Sequence, residues 1–293
     1  MSADDRDVLT EHVRATRRLG HYFVERLRYL ERQYRDSRQN RLEALAQFDN
    51  EWPQLKQVFD TLAPLFRGDT QIAEICSFIP VACPSIFLTR LPGALWADWL
   101  IVGLAATKQL NDWKLSPSAH HQLQLLGELG NAYMGCSQFR EAARWYRRAA
   151  DSARTLGDVK EEALWQGNLA VTLAEAHDFD GALEASEKVI SLLADGQNER
   201  LRADQLRLCG TVHHDKGNLR QALACLFEAL KIHSTRGDGL EAGIDLGEIG
   251  LSFAGRGDIR RAREYLEEAR NISRQFGHAQ SEANWQRHLE GLS

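Results

Sequence analysis

Cys209 and His213 stand four residues apart, the spacing at which two side chains of one helix can share a metal ion. The chain has no paired short Cys spacing to complete a zinc knuckle, and the five cysteines, Cys76, Cys83, Cys136, Cys209 and Cys225, are odd in number. They predict reduced, mostly buried thiols and no disulfide framework. His120, His121 and His177 lack a second ligand at a recognisable spacing and are expected to be solvated or hydrogen-bonded locally. The acidic pairs Glu161-Glu162 and Glu267-Glu268 are adjacent in sequence, and adjacent helical side chains diverge, so neither makes an acid and base pair. The chain contains no G-x-x-x-x-G-K-[ST] phosphate loop, no G-x-S-x-G and no H-E-x-x-H. The expectation is a protein that is not an enzyme, with no catalytic residue, cofactor or metal.

A second set of residues carries charge. Arg14, Arg17, Arg18, Arg26, Arg28, Arg32, Arg35, Arg38 and Arg41 face only Glu25, Glu31 and Asp36, so nine minus three leaves a local excess of six positive charges. Tyr22, Phe23, Tyr29 and Tyr34 interleave with them, a mixture that nucleic-acid binders use. Leu19, Phe23, Leu27, Leu30 and Tyr34 nevertheless recur at a helical period, which predicts an amphipathic helix with its arginines on a solvated or internally paired face. Nucleic acid is therefore not the expected partner. A nucleic-acid-associated regulatory factor is the alternative function that this helix supports.

The elements that must position all of these residues repeat. Leu129-Gly130-Asn131-Ala132-Tyr133, Leu169-Ala170-Val171-Thr172-Leu173, Cys209-Gly210-Thr211-Val212-His213 and Ile249-Gly250-Leu251-Ser252-Phe253 superimpose at a step of 40 residues without a gap. Ala142, Ala182, Ala222 and Ala262 follow in register, as do Ala149, Val189, Ala229 and Ala269. Small residues at fixed phase let neighbouring helices approach closely, so each unit buries its face against the next. Cys209 then occupies the place of Leu129, Leu169 and Ile249, and His213 that of Tyr133, Leu173 and Phe253. Both are expected to pack and not to ligate.

In LLGELGNAY and QFREAARWYRRAADSAR the Leu-Gly, Tyr, Ala, Tyr and Ala places resemble the tetratricopeptide repeat. The generic unit is roughly 34 residues. The longer step here, with Gly157-Asp158 and Gly237-Asp238, resembles the extended variety of kinesin-light-chain-like and LGN-like adaptors and of the C-terminal region of bacterial STAND ATPases. Residues from about 20 to 115 are similar to the helical stretch that precedes the repeats in the STAND group. The resemblance implies an all-α fold, a right-handed tetratricopeptide superhelix or α-solenoid preceded by an irregular helical N-terminal region. Residues 1–115 would form that region, and 116–293 about four 40-residue repeats plus a C-terminal capping helix over 279–292 with Trp285 and Leu289.

Helix pairs are predicted over 117–135 with 138–156, 159–176 with 179–194, 199–216 with 219–236, and 239–256 with 259–276, with Ser116-Pro117 as the first cap. Upstream, residues 1–10 should fray, a charged helix should run from about Val8 to Arg38, and a second from Arg41 should break at Asp49 to Pro53. The net charge of −5, from 36 basic and 41 acidic side chains, gives no global attraction to nucleic acid or anionic lipid. The most apolar run, Ile75 to Leu88, is shorter than the roughly 20 residues of a spanning helix and is interrupted by Pro80 and Pro84. The acidic, polar N-terminus does not read as a secretory signal, so the expected compartment is the cytoplasm and no membrane partner is expected.

The resemblance also nominates a site, because in tetratricopeptide adaptors the second, fifth, ninth and twelfth places of each first helix line a groove. Mapped onto this chain, the lining is Gln124, Asn131 and Met134, then Leu164 and Val171, then Arg207, Thr211 and His214, then Ile244 and Leu251. Asn131 matches the family's asparagine that pairs with a peptide backbone. The fifth place, lysine in clamps for a C-terminal carboxylate, is Gly127, Gly167, Arg207 and Gly247, so a chaperone-tail receptor is not expected. The implied function is a non-enzymatic scaffold or sensor holding a protein or peptide segment, in a regulatory or defence setting in a bacterium. The apolar groove is expected to suit an amphipathic helix or extended apolar segment, unless a helix of the N-terminal half fills it in cis or these residues pack within the array. The STAND likeness adds a further alternative, the recognition half of a split signalling ATPase, with the ATPase or effector supplied in trans. Elemental analysis of the purified chain should find less than one tenth of an equivalent of zinc; one equivalent would return Cys209 and His213 to the role of ligands.

Overall fold

The computed structural model describes residues 3–112, 114–115 and 119–292, with side chains from residue 11 onward. Ser116 and Pro117, the expected first cap, lie outside the described residues. Among the described residues there are fourteen α-helices and two short 3-10 turns, and no strand. The fold is an all-α, tetratricopeptide-like solenoid preceded by less regular helices. The chain divides into two compact units, Met1–Gly157 and Asp158–Ser293, so that the first helix pair of the repeats counts with the N-terminal helices.

The first unit contains α1 (Ala3–Asp36), α2 (Arg38–Leu62), α3 (Thr70–Phe78), α4 (Pro84–Arg90), α5 (Gly93–Asp112), α6 (Ala119–Gly135) and α7 (Phe139–Leu156). Helix α1 begins at Ala3, where the sequence led us to expect an irregular first ten residues. Helix α2 runs through Pro53 without the expected interruption. Proline removes one N–H bond and crowds the preceding turn, but this stretch sits on an aromatic core that holds it in place. Phe48 and Trp52 flank the turn; Phe48 meets Phe87 edge-on at 5.8 Å, Trp52 lies 5.4 Å from Trp99, and Phe59 stacks on Trp99 at 4.1 Å. Trp96 completes the cluster and donates its Nε1–H to the Pro80 carbonyl at 2.9 Å. The prolines crowded between residues 64 and 92 start short elements, with Pro80 inside a 3-10 turn over Ile79–Val81 and Pro84 at the first position of α4. No single described helix is long and apolar enough to cross a membrane; Thr70–Val81 and Pro84–Arg90 pass such a test only together and are bent by 66°.

The second unit contains α8 (Val159–Glu175), α9 (Phe179–Leu192), α10 (Glu199–Asp215), α11 (Leu219–Arg236), α12 (Gly239–Gly255), α13 (Ile259–Gln275) and α14 (Ala279–Glu290). Each helix packs antiparallel on the next, and α8, α10 and α12 lie side by side as one layer with α9, α11 and α13 as the other. Turns fall every 20 residues. The side chains of Asp158, Asp178, Asn198 and Asp258 each accept the backbone N–H three residues on, at 3.1 to 3.2 Å. The residue before the cap is left-handed, at Gly157 and Gly237 with φ of 72° and 77°, and at His177 with φ of 58°.

The two layers meet at small residues. Ala142, Ala182, Ala222 and Ala262 are completely buried, as are Ala149, Val189, Ala229 and Ala269. A Cβ at Gly130 would sit 2.4 Å from the Tyr146 ring, one at Gly210 2.5 Å from Leu226, and one at Gly250 2.8 Å from Leu266. The large partner is always 16 residues downstream; in the second repeat, Ala170 and the small Ser186 take the two places. Glutamate at Ala222 would place an uncompensated charge in this seam, a cost of about 3 kcal/mol or more. The variant Ala222→Glu should therefore lose its cooperative thermal transition in circular dichroism, while Ala224→Glu, on the exposed side of α11, should melt within a few degrees of the wild type.

Candidate functional site on the first-helix layer

On α8, α10 and α12 the second, fifth, ninth and twelfth places of each repeat are i, i+3, i+7 and i+10 on one helical face. In α8 that face carries Leu164 and Val171, which are 39% and 40% exposed. In α12, Ile244 and Leu251 are half-buried and rest on the core around Leu246, Ile249 and Trp285. Between them α10 presents Arg207, Thr211 and His214, all half-buried. Thr211 donates to the Leu208 carbonyl within its own helix at 2.9 Å, and His214 Nδ1 lies 3.3 Å from Ser252 Oγ of α12.

The fifth place has a different role. A Cβ at Gly247 would fall 2.4 Å from the Trp285 ring and one at Gly167 3.1 Å from Gln205 Nε2. These glycines admit the next first helix and do not line a groove. Arg207, the only large residue at that place, carries a charged cluster instead. Its Nη1 donates to Glu241 Oε2 at 2.8 Å and lies 3.4 Å from Asp245 Oδ1; its Nη2 donates to Asp204 Oδ1 at 2.9 Å. Asp245 is fully buried and accepts from Nδ1 of the equally buried His233, at 2.6 Å. Burial pushes the carboxyls of Asp204 and Asp245 up; the His233 hydrogen bond and then Arg207 pull Asp245 back, and Arg207 followed by His233 pull Asp204 back. Glu248, between Ile244 and Leu251 on α12, is pushed up to about 7 by burial, with Arg207 opposing and Asp215 and Asp245 adding to it. Of this cluster, the sequence reading singled out Arg207; Asp204 stands one turn before it on α10, and His233, Glu241, Asp245 and Glu248 come from neighbouring helices, where no local spacing marks them.

In the first unit the nominated residues are engaged within the fold. Gln124 Nε2 reaches the Val81 carbonyl at 3.4 Å, so the N-terminal helices hold it in cis. Asn131 donates Nδ2–H to Glu128 at 2.8 Å and accepts the Tyr146 hydroxyl at 2.6 Å, tying α6 to α7. Met134 is half-buried. His121, expected to be solvated or locally bonded, is buried and makes a long-range bond: its Nε2 lies 2.6 Å from Ser77 Oγ, which in turn meets Thr107 Oγ1 at 2.8 Å. The pair has the residue types of a nucleophile and base, but Ser77 is fully buried and no substrate can reach it. Burial lowers His121 to about 4, with the Ser77 bond opposing and the Arg28 charge adding to it.

Cys209 is buried and its thiol pushed up to about 12 by burial, so it is a protonated packing residue. Among the described residues no group of three His, Cys, Asp or Glu side chains is placed to hold a metal ion. All five cysteines are free thiols. Five of the nine arginines in the row are engaged inside their own unit. Arg17 bridges Asp69 at 3.0 Å, Arg26 makes a fork to Glu51 at 2.7 to 3.2 Å, Arg35 pairs with Glu31 at 2.7 Å, and Arg28 and Arg41 lie over the Phe78 and Tyr34 rings.

No protein-family model matches the chain, and no curated protein is similar to it in sequence. Solved structures share its fold. BtubC (BKLC) from P. vanneervenii superimposes with a TM-score of 0.60 at 14% identity, over 90% of this chain and 92% of that one. A STAND protein with a tetratricopeptide repeat sensor from Pyrococcus horikoshii gives a TM-score of 0.59 at 14% identity; 97% of this chain is covered, but it spans only 42% of that protein. NprR in complex with its cognate peptide NprX gives 0.52 at 15% identity, over 100% and 78%.

The buried His121 sets a pH dependence. Its folded-state value lies below the ordinary 6.5, so the unfolded chain binds more protons between the two values and stability falls as pH drops from about 6.5 toward about 4. The contribution amounts to about 3 kcal/mol at most. Thermal melts of the wild type should lose stability across that window, and His121→Gln should flatten the profile; equal slopes would place the titrating group elsewhere.

Proposed function

We propose that this chain is a non-enzymatic scaffold or sensor that holds a peptide, or an extended or helical segment of a partner protein, along the first-helix layer of its repeats. The observation that carries this reading is the pair of exposed apolar side chains Leu164 and Val171 on α8, in line with the half-buried Ile244 and Leu251 on α12. Side chains this apolar contribute on the order of 1.5 to 3 kcal/mol each when buried, and here they are arranged at a spacing that an apolar segment can follow. NprR, of similar fold, was solved with its cognate peptide, which supports a peptide-sized ligand. Thr211 and His214 supply polar contacts on this face within the second unit.

The setting we infer is regulatory and bacterial, with a defence role drawn from the likeness to the STAND sensor. That likeness also favours a second reading, in which this chain is the recognition half of a split signalling ATPase and the ATPase or an effector is a separate chain. The sequence has no phosphate-binding loop of its own. Nucleic-acid association through α1 is weakened by the internal pairing of its arginines.

Leu164→Asp and Leu251→Asp should each lower the affinity for a captured partner by tenfold or more, while the melting temperature stays within a few degrees of the wild type. Calorimetric titration and circular dichroism of the same samples read the two effects. Unfolding as severe as that of Ala222→Glu would make these residues internal packing, and unchanged affinity would move the binding surface off this layer.

A further inference from the structure

In the first unit a cleft of about 370 Å³ opens between the N-terminal part of α1 and the segment that joins α2 to α3. Small-molecule sites occupy roughly 300 to 1,000 Å³, so the cleft has room for a ligand. Val13, Leu65 and Ile72 form its apolar side. Ile72 is buried, Val13 is partly buried against the same core, and Leu65 is 39% exposed, so apolar surface leads from the core out to solvent. Arg14, Arg17 and Asp69 form the polar side. Asp69 is engaged on both oxygens: Oδ1 accepts the backbone N–H groups of Gln71 at 2.9 Å and Ile72 at 3.1 Å, and Oδ2 accepts from Arg17 Nη1 at 3.0 Å. Arg17 makes no other hydrogen bond or ion pair among the described residues, and Arg14 makes none. A guanidinium carries several N–H donors in a fixed fork, so most of those at the cleft are unclaimed. Two positive charges against one negative leave a single positive charge uncompensated.

We propose that this cleft binds a small organic carboxylate with an aliphatic body, its carboxylate held by Arg14 and the unclaimed donors of Arg17 and its chain laid along Val13, Leu65 and Ile72. The inference is independent of the face proposed on α8, α10 and α12, and it assigns the first unit a site of its own. Guanidinium and carboxylate are planar partners that can form two parallel charged hydrogen bonds. One negative charge balances the one positive charge that the cleft leaves over. An amine of the same shape would meet two arginines and be repelled. A neutral amide would replace charged hydrogen bonds with weaker neutral ones. The aliphatic body covers Leu65 and the exposed part of Val13, which removes apolar surface from water. Gly68 borders the cleft; a Cβ there meets nothing within 4 Å and its backbone lies outside the left-handed region, so a larger side chain at this position can fill the cleft without displacing the core.

Isothermal titration calorimetry of the full chain with octanoate, octanamide and octylammonium tests the assignment. Octanoate is expected to bind at least about tenfold more tightly than octanamide, and octylammonium is expected not to bind. Arg14→Gln should bring octanoate down to the affinity of octanamide. Gly68→Phe, which fills the cleft, and Leu65→Glu, which sets an anion at its exposed edge, should each weaken octanoate by at least about tenfold, while Gly68→Ala leaves it unchanged. Circular dichroism of each variant confirms that it is folded. Equal affinities for octanoate and octanamide would overturn the proposal, because the arginines would then contribute nothing. Undiminished octanoate binding by folded Gly68→Phe or Leu65→Glu would move the site out of this cleft and overturn it as well, and so would the absence of octanoate binding to the wild type.

Discussion

The closest approach of two helices within each repeat governs the rest of this structure. Gly130, Gly210 and Gly250 leave room for Tyr146, Leu226 and Leu266 at distances no side-chain carbon could share. The buried alanines one and two turns along the second helices keep the backbones close. Once that seam is fixed, the opposite face of each first helix has no second helix to meet. Leu164 and Val171 are exposed for this reason, while Leu169 and Ala170 on the same helix are buried. The available binding surface is thus a consequence of where the small residues were placed.

Two of the polar networks inside this packing each join three helices. Ser77, Thr107 and His121 bond α3, α5 and α6 within the first unit. Asp204, Arg207, His233, Glu241 and Asp245 bond α10, α11 and α12 within the second. A buried polar group without a partner is costly, so each network is satisfied only when all of its helices are in register. The two differ in what they leave over. The first closes on itself in a buried pocket of hydroxyls and imidazole, whereas the second reaches the half-exposed face of α10 and α12 through Asp204 and Arg207. That asymmetry leaves the second network partly open to solvent, which the first is not.

The sequence by itself determined the class of fold, the repeat length and the helix boundaries of the repeats, because these depend on local signals that recur every 20 residues. Caps at Asp158, Asp178, Asn198 and Asp258, left-handed turns at Gly157 and Gly237, and alanines in phase are all readable without knowing what they touch. The packing role of Cys209 was legible for the same reason, since the register compares it with Leu and Ile at equivalent places. Three matters were decided only in three dimensions. Helix α2 continues through Pro53 because Phe48, Trp52 and Phe59 are held by Phe87 and Trp99 from later helices, and local propensity carries no trace of that support. Gly167 and Gly247 turned from groove positions into contact points because Gln205 and Trp285 of the following helices occupy the space above them. The carboxylates around Arg207 became one cluster because α10, α11 and α12 bring together residues up to 41 positions apart, as Arg200 and Glu241 are. A repeat consensus records what each unit shares, and electrostatic sites of this kind are built from what its units do not share.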